Sequence, residues 1–439
     1  MIMALIRPET EMKDSGVQWI GNIPSDWNIK PLYACLDEIN QKNNPVVTTN
    51  ILSLTNTDGV IPYSERGNQG NKSKENFEEY KVVYPNTIVA NSMNILIGSV
   101  GLSKYEGCVS PVYYVYMAKP QVDIRYMNYL FQMEPFQKRL RQFANGILEI
   151  RLRVSSHDIL HQKVAVPDYD VQQAIADYLD ETCSKIDEII AEAKASIDEY
   201  KNFRQSVISE AVLNGIEQHN YKNVDLEWIA SIPDAWEVLP LKRYFTYQKG
   251  LPITKADLLE NGDKVISYGQ IHAKFNTGVT VDERLIRYVS HEYSLSNSES
   301  LCSKGDIILA DTSEDKDGCG NAVYIDTDEM IFAGYHTIIL KSNVDNKYLA
   351  YLFTSNTWRS QIRKRVQGVK LFSVTLKILN QCSIILPPVN EQIEIVKYLD
   401  EKTAIIDACI SEKESLINDL EAYKKSLIYE VVTGKRRVV

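Results

Sequence analysis

Several short strings in the sequence combine residue types that can bind metals, phosphates or bases. His157 and His161 are four residues apart, so on a helix they would share one face, as two metal ligands would. In a second copy of this region, described below, the equivalent positions hold Lys377 and Gln381, and no third ligand is apparent. We therefore interpret the two histidines as a surface pair.

A polar string, DTSEDKDG at 311–318, could hold calcium through its carboxylates. A calcium loop that starts at Ser313 needs a glutamate at its twelfth position, which here is Tyr324, so calcium is not expected. Carboxylates and hydroxyls in such a loop can instead contact base edges, because carboxylates accept hydrogen bonds from cytosine amino groups. A plain solvated loop is the alternative. The predicted DNA contacts in this loop are Thr312, Ser313, Glu314, Asp315 and Lys316.

Positive charge is clustered just before or around a glycine in two places. Arg141 and Arg363 align when Gly146 and Gly368 are superposed. Clusters at equivalent positions of a near-neutral domain are typical of a phosphate-binding surface, and a solvated helix face is the alternative. The predicted DNA-binding residues are Lys138, Arg139, Arg141, Arg151 and Arg153 in the first cluster, and Arg359, Arg363, Lys364, Arg365 and Lys370 in the second.

Motifs of an enzyme that modifies or cuts DNA are not apparent. A base methyltransferase would carry an Asn/Asp-Pro-Pro-aromatic turn and a glycine-rich cofactor loop, and neither NPV at 44–46 nor PPV at 387–389 fits. GKR at 434–436 does not match a phosphate-binding loop. The sequence therefore favours a chain without a catalytic site of its own. A methyltransferase or nuclease with its own recognition domains stays the alternative, because nuclease motifs are short.

The chain repeats itself once. WIGNIPSDW at 19–27 recurs as WIASIPDAW at 228–236, and VAVP at 164–167 recurs as IILP at 384–387. The two middles, roughly 33–150 and 242–370, share little sequence. Because drift alone would blur both halves evenly, we infer that the middles have different functions.

Two long helices follow the shared prolines Pro167 and Pro387. Apart from Pro388, which directly follows Pro387, neither segment contains a further proline, and glycine is absent until Gly215 and Gly434. About 44 residues at 1.5 Å each predict a rod of roughly 65 Å. Apolar or small residues at alternating steps of three and four predict a coiled-coil seam. They are Ile175, Leu179, Thr182, Ile186, Ile189, Ala193, Ile197, Tyr200, Phe203, Val207 and Ala211, and then Ile395, Leu399, Thr403, Ile406, Ile410, Ile417, Leu420, Tyr423, Leu427 and Val431.

The simplest pairing joins the two helices to each other, antiparallel, and the alternative is that each pairs with another protein. The middles contain β-branched and aromatic runs that predict strands at 81–84, 87–90, 112–116, 306–310 and 337–340. Each middle is predicted to close with one helix, at 126–144 or 347–366. The expected fold is α+β, with recognition domains at 1–166 and 218–386 and long helices at 167–217 and 387–439.

The composition fits an intracellular globular protein. The net charge of −10 lies mostly in the helical segments, where 170–217 carry −7 and 390–439 carry −2. The seven cysteines form no CxxC pair, so neither zinc nor a disulfide framework is expected. The apolar patch before Arg7 is too short for a signal peptide, and no run approaches a membrane helix. We expect a cytoplasmic chain without a membrane segment.

Taken together, these features resemble the specificity subunits of type I restriction-modification enzymes. The most specific strings are the two W-I-x-x-I-P-x-x-W openings and PPVNEQ at 387–392, with YLD at 398–400. The first copy departs from the latter at Asp168 and Val171, but keeps Gln172 and YLD at 178–180. The strings GCVSP at 107–111, GDIIL at 305–309, TSEDK at 312–316 and HTI at 336–338 also look like target-recognition domains of the family.

The resemblance implies a division of labour among several chains. Each variable domain would read one half of a split site in double-stranded DNA, and the paired helices would fix the spacing. The helices would also dock two modification subunits, which bind S-adenosylmethionine and methylate adenine in a flipped-out state. Restriction subunits that use ATP and Mg²⁺ would join through them. A coiled-coil scaffold without a DNA role is a further alternative.

Overall fold

The computed structural model describes residues 4–55, 59–66, 76–145, 152–342 and 344–438. Its helices are α1 (Ile124–Gln132), α2 (Glu134–Arg141), α3 (Ser156–Leu160), α4 (Tyr169–Asn214), α5 (Leu241–Tyr244), α6 (Tyr268–Ile271), α7 (His291–Ser296), α8 (Lys347–Thr354), α9 (Asn356–Arg363), α10 (Leu376–Leu379) and α11 (Val389–Val432).

The strands of the first half of the chain are β1 (Ala4–Ile6), β2 (Met12–Asp14), β3 (Asn22–Pro24), β4 (Asn28–Pro31), β5 (Leu36–Glu38), β6 (Leu52–Thr55), β7 (Gly59–Pro62), β8 (Lys81–Val83), β9 (Ile88–Asn91), β10 (Val100–Leu102), β11 (Gly107–Val109), β12 (Tyr113–Ala118) and β13 (Lys163–Val166). Those of the second half are β14 (Tyr221–Leu226), β15 (Ile229–Pro233), β16 (Glu237–Pro240), β17 (Thr246–Lys249), β18 (Asp263–Ile266), β19 (Arg287–Val289), β20 (Leu301–Cys302), β21 (Ile307–Ala310), β22 (Thr312–Ser313), β23 (Ala322–Tyr324), β24 (Ile331–Ala333), β25 (Thr337–Lys341), β26 (Phe372–Ser373), β27 (Ser383–Leu386) and β28 (Arg436–Val438).

The chain forms two compact units, Met1–Lys194 with Glu414–Val439, and Ala195–Lys413. Each long helix contributes one part to the first unit and the rest to the second. The predicted α+β class with an internal repeat is confirmed, and strands β8, β9, β12, β21 and β25 lie where the sequence predicts them.

The first unit is built around a four-stranded antiparallel sheet in the order β10-β9-β12-β5. Val89 and Val115 pair in this sheet and are fully buried, because the face they share packs on the core of the domain. Small two-stranded ladders, β8 with β11 and β6 with β7, complete the strand-rich part.

The second unit has two four-stranded sheets. One is antiparallel in the order β17-β25-β21-β23, and the other, in the order β19-β18-β24-β20, contains a parallel pair of β18 with β24. Ile307, Ile308 and Leu309 of β21 are all fully buried, because both faces of this central strand are covered.

The strings that repeat in sequence pair with each other inside each unit. Strand β4, just after the first tryptophan motif, is antiparallel to β13 of VAVP, and β16, after the second motif, is antiparallel to β27 of IILP. Leu32 and Leu241 follow these strands at equivalent positions, and both are fully buried. The shared sequence thus forms the closure of each variable domain at the start of a long helix.

The long helices begin with the same side-chain contact. Gln172 and Gln392 each donate from Nε2 to the carbonyl oxygen of the preceding proline, Pro167 or Pro387, at 2.8 Å. The departures from the family string in the first copy therefore leave the helix start intact. The helices are 46 and 44 residues long, and each is followed within two residues by a glycine with positive φ, which ends a helix without a Cβ clash.

Inside each unit the two long helices pack antiparallel, as predicted, but three predicted seam residues are wrong. Ile189, Phe203 and Tyr423 are 45%, 57% and 46% exposed. Ile190 is buried in place of Ile189. The sequence could not distinguish them, because both positions fit steps of three and four. In the other two cases the neighbouring cation lies in the seam instead, where it forms an ion pair across the helices.

The single helix predicted to close each middle is wrong in both units. In the first, α1 and α2 are separated at Met133, which has φ −67° and ψ 125°, and Pro135 removes an amide donor from the next turn. In the second, α8 and α9 are separated at Ser355, whose side chain accepts a hydrogen bond from the Trp358 amide. Along the described residues, none of the helices combines the length and apolar character that crossing a bilayer requires.

Candidate nucleic-acid interface

Helix α1 of the first unit is fixed to both long helices by polar contacts. The Tyr129 hydroxyl donates to Asp180 at 2.7 Å, and Arg125 forms ion pairs with Asp177 and Asp180 at 2.7 and 2.9 Å. The fully buried Tyr126 donates to the carbonyl oxygen of Val432 at 3.0 Å. Burial, and then the hydrogen bond to Asp180, raise the pKa of Tyr129 above its usual range, so the hydroxyl stays protonated and donates.

Helix α2 follows directly and presents the first basic cluster. Phe136 and Leu140 are fully buried and hold the helix on the core, so its basic residues face outward. Lys138 is exposed and pairs with Glu134 at 2.6 Å. Arg139 is half-buried and donates to Gln162 and Gln142, at 3.2 and 2.5 Å, while its guanidinium lies over Phe143.

A cavity of about 730 Å³ opens beside this cluster. Its lining includes Trp19 of the first repeated motif, Lys138 and Arg139 of α2, and His161 and Lys163 after α3. The sequence did not indicate Lys163 as a site residue, because a lone lysine at the start of a strand carries no pattern. His161 and His157 stack with ring centroids 3.9 Å apart at the surface.

Two further arginines of the first cluster are exposed, one at the end of α2 and one after it. Arg153 is exposed, and its backbone pairs with Asn145 in both directions, at 2.8 and 2.9 Å. Arg141 is exposed at the end of α2. The predicted contact Arg151 lies outside the described residues, as does Gly146.

Helix α8 of the second unit is anchored in the same way as α1. The Tyr351 hydroxyl donates to Asp400 at 2.7 Å, and Lys347 pairs with the same carboxylate at 2.7 Å. The buried Tyr348 donates to the carbonyl oxygen of Val212 at 2.9 Å. The aspartate of each repeated YLD string therefore binds α1 or α8, the first of the two helices that close each variable domain.

The second basic cluster is engaged by protein groups to a greater degree than the first. Arg365 pairs with Glu227 at 2.9 Å and donates to Gln381 at 3.1 Å. Lys364 is exposed and donates to the Glu227 carbonyl oxygen at 3.2 Å, and Arg363 donates to Asn356 at 3.1 Å. Lys370 is exposed in the segment after α9.

Arg359, also in this cluster, points into the protein. It donates from Nε to the Phe353 carbonyl oxygen at 2.7 Å and from Nη1 to Asn321 at 2.6 Å. Burial, with Arg363 as a second cause, lowers the pKa of Arg359 to about 10, so it is still charged at neutral pH. Asn321 in turn donates to Nδ1 of His272, whose Nε2 lies 2.8 Å from the Thr312 carbonyl oxygen. Arg359 thus starts a hydrogen-bond chain that ends on the polar loop.

The structure brings the polar loop and the second basic cluster onto one surface. Strand β22 of the loop pairs with β26, which follows the cluster, in the register Thr312 with Ser373 and Ser313 with Phe372. Arg363 donates to the Asp317 carbonyl oxygen. Glu314, Asp315 and Lys316 are exposed on this loop, whereas Ser313 is buried. Sequence patterns indicated both segments, but not that they are neighbours.

A second turn reaches the same surface, and none of its residues was among the predicted contacts. His336 adopts a left-handed conformation with φ 54°, and its Nδ1 is 3.4 Å from both Asp311 and the Thr312 hydroxyl. The Tyr268 ring lies 5.2 Å from the imidazole. The available signal was the HTI string at 336–338, which resembles the family but marks no single residue.

The two surfaces combine groups suited to nucleic acid. Exposed cations can neutralise phosphates, and exposed hydroxyl, carboxylate and imidazole groups can bond to base edges. Within the described ranges, no three histidine, cysteine, aspartate or glutamate side chains come together in a way that could hold a metal ion.

Comparisons with family models and with known proteins identify the same family. The model for the type I restriction modification DNA specificity domain matches the chain twice, over residues 24–199 and 233–421. The type I restriction enzyme MjaVIII specificity subunit of Methanocaldococcus jannaschii is 23% identical over 431 residues, 95% of this chain and 94% of that relative. The EcoBI specificity subunit of Escherichia coli is 24% identical over 294 residues, 64% of this chain and 60% of the relative.

A solved structure has the same fold. One chain from a structure on complex assembly and conformational transition of the type I R-M system superposes with a TM-score of 0.69. The two chains are 13% identical, and the match covers 94% of this chain and 99% of that chain. At this identity the likeness concerns the fold alone.

Proposed function

The chain belongs to the type I restriction modification DNA specificity family, and from that premise we propose that each of its two units reads one half of a divided DNA site. It is a specificity subunit with two DNA specificity domains. The recognition domains are 1–166 and 218–386, and the paired helices set the distance between the half-sites. The chain itself catalyses no reaction.

The observation that carries the proposal is that the two units share the same anchoring contact but present different residues around it. Tyr129 and Tyr351 make the same bond to the aspartate of a YLD string. Beyond this contact, positions 222 residues apart differ in character, for example Phe143 against Arg365. A shared anchor with unlike contact residues supports recognition of two unlike half-sites.

The proposed phosphate and base contacts are exposed or half-buried polar groups. In the first unit Lys138, Arg139, Arg141 and Arg153 supply positive charge, and in the second unit Lys316, Arg363, Lys364 and Lys370 do so. Thr312, Glu314 and Asp315 lie beside the latter group and are suited to base edges. Ser313 and Arg359 support the loop from inside and contribute no exposed group.

The partners that we propose carry the chemistry. Two modification subunits bind S-adenosylmethionine and methylate adenine, and the acidic outer faces of α4 and α11 dock them. Restriction subunits that bind ATP and Mg²⁺ complete the complex and cut DNA. This chain contributes register and discrimination between sequences, while the target base is flipped into a pocket of the modification subunit.

Binding measurements on the purified chain test the proposal against its two rivals. We expect affinity for duplex DNA that falls steeply with salt, because each neutralised phosphate releases counterions. We expect no binding of S-adenosylmethionine by this chain alone, measured by calorimetry. Detectable cofactor binding would support a methyltransferase, and salt-independent or absent DNA binding would support a scaffold.

A further inference from the structure

The segment between α9 and β26 leaves the core of the second unit and returns to it. Val366, at its start, is 5% exposed, and Val374, just past its end, is 2% exposed. The five residues from Gln367 to Leu371 are all exposed. The segment is therefore a short protrusion with both ends fixed in the core.

The tip of this protrusion carries two exposed apolar side chains. Val369 is 95% exposed and Leu371 is 56% exposed, with Lys370 between them. A Cβ at Gly368 would lie 2.0 Å from the Leu371 carbonyl oxygen, so the backbone makes a tight turn that only glycine allows. Two apolar side chains exposed to water on this turn are less favourable than polar ones, because their surface is not removed from water.

The protrusion lies directly beside the groups suited to DNA. Phe372, the next residue along the chain, pairs with Ser313 of the polar loop, and the Val374 amide donates to the Asp311 carbonyl oxygen at 2.7 Å. Arg363 and Lys364 stand at the other end of the protrusion. The apolar tip is thus bordered by cations and by potential base-reading groups.

We propose that Val369, supported by Leu371, enters a groove of the DNA and wedges between two base pairs. This inference rests on the proposed function and adds to it a deformation of the DNA by this chain. Proteins that bend DNA insert apolar side chains between base steps, and flanking cations hold the phosphates while the step opens. The cations Arg363, Lys364 and Lys370 favour DNA over a protein partner as the occupant, because they can neutralise phosphates. The exposed carboxylates of Glu314 and Asp315, on the neighbouring loop, can accept hydrogen bonds from base edges instead.

The test uses the full chain assembled with its modification subunit and a duplex that contains its methylation motif. Unstacked thymines react with permanganate, so we would map reactivity across the second half-site and omit thymines paired with a methylated adenine. We expect at least one additional reactive step with the wild-type chain. The double variant Val369→Ser, Leu371→Ser should lose that reactivity and bind the motif about tenfold more weakly, as expected for one lost buried valine.

Leu295→Ser is the matched control, because Leu295 is 86% exposed on α7 of the same unit. It should leave both reactivity and affinity unchanged. If the double variant binds and reacts like the wild type, the wedge is wrong while the proposed function stands. If the double variant instead fails to retain the modification subunit, the tip docks protein and the wedge is also wrong. If the wild-type complex does not bind DNA at all, the proposed function fails and the wedge with it.

Discussion

Lys424 donates from Nζ to both carboxylate oxygens of Asp187, each at 2.6 Å. In the other unit Arg204 pairs with Asp407 at 3.0 Å. Each residue of the second pair is 220 positions from its counterpart in the first, so the repeat preserves an ion pair across the helices. The acid and the base exchange helices: α4 supplies the acid in the first pair and the base in the second. The pairs mark the antiparallel register that the apolar stripe alone leaves open.

A double-mutant cycle should show unequal coupling in these two pairs. We expect about 0.5 kcal/mol for Asp187→Asn with Lys424→Met, because both partners are partly exposed at 58% and 27%. The Arg204–Asp407 pair should couple more strongly, since the Arg204 side chain is only 15% exposed. Urea unfolding of the single and double variants measures both. Equal coupling in the Arg204–Asp407 pair and in the surface pair Lys185–Glu181 would contradict the register role.

Removing the anchoring aspartate should loosen the recognition domain of its own unit. Asp180→Ala leaves the Tyr129 hydroxyl, on a residue that is 8% exposed, without its acceptor, so we expect a loss of about 1 to 2 kcal/mol. Asp198→Ala, an exposed change on the same helix, is the control and should cost little. Chemical denaturation compares them, and similar losses for both would show that the bond to Tyr129 contributes nothing.

Cys409 should be the thiol that reacts first with an aromatic disulfide reagent at pH 8. It is the one cysteine of the seven that is not buried. Burial raises the pKa of Cys108 and Cys183 to about 11 and that of Cys382 to about 12, so these thiols stay protonated and enclosed. Cys409→Ser should remove the fast phase, and a fast phase that persists would refute this assignment.

The same thiols should make the protein less stable in alkali. In the unfolded chain a thiol loses its proton near pH 8.5, whereas Cys108 keeps it until about pH 11 in the folded chain. Between these values the folded state binds more protons, so the free energy of unfolding falls as pH rises. Cys108→Ala should flatten this fall between pH 9 and 11, measured by urea unfolding, and an unchanged slope would contradict it.

Arg141 and Arg153 should bind DNA phosphates independently of sequence. Both side chains are exposed, so phosphates can reach them. The double change to alanine should weaken binding to all duplexes alike and lower the salt slope by roughly two phosphates. Lys185→Ala on α4 serves as the control. An unchanged slope would remove both residues from the interface.

The internal repeat made the architecture predictable from the sequence. Features that depend on the surroundings of individual side chains were not predictable. Two domains and two long helices were indicated by the paired tryptophan motifs, the YLD strings and the glycine after each long helix. These signals could be recognised because each one depends only on residues that are close in sequence. The break at Met133 was missed, since an apolar pattern continues through it and only Pro135 marks the new turn. The stripe could not separate Ile189 from Ile190, as both satisfy helical spacing.

The candidate site was predictable by residue type and not by placement. Clusters of arginine and lysine marked α2 and α9, yet the sequence could not show that Arg359 turns inward to Asn321. Neither could it show that Phe372 pairs with Ser313, because that contact joins segments about 60 residues apart. The positive φ of His336 likewise could not be inferred from its residue type.

The most direct test of the central claim is a map of methylated bases. This chain would be expressed with the modification subunit of its system in a host free of DNA methylation, and the genome sequenced for modified bases with and without the chain. We predict adenine methylation at one motif in two parts, present only when this chain is present. Methylation that persists unchanged without it would show that recognition lies in another protein.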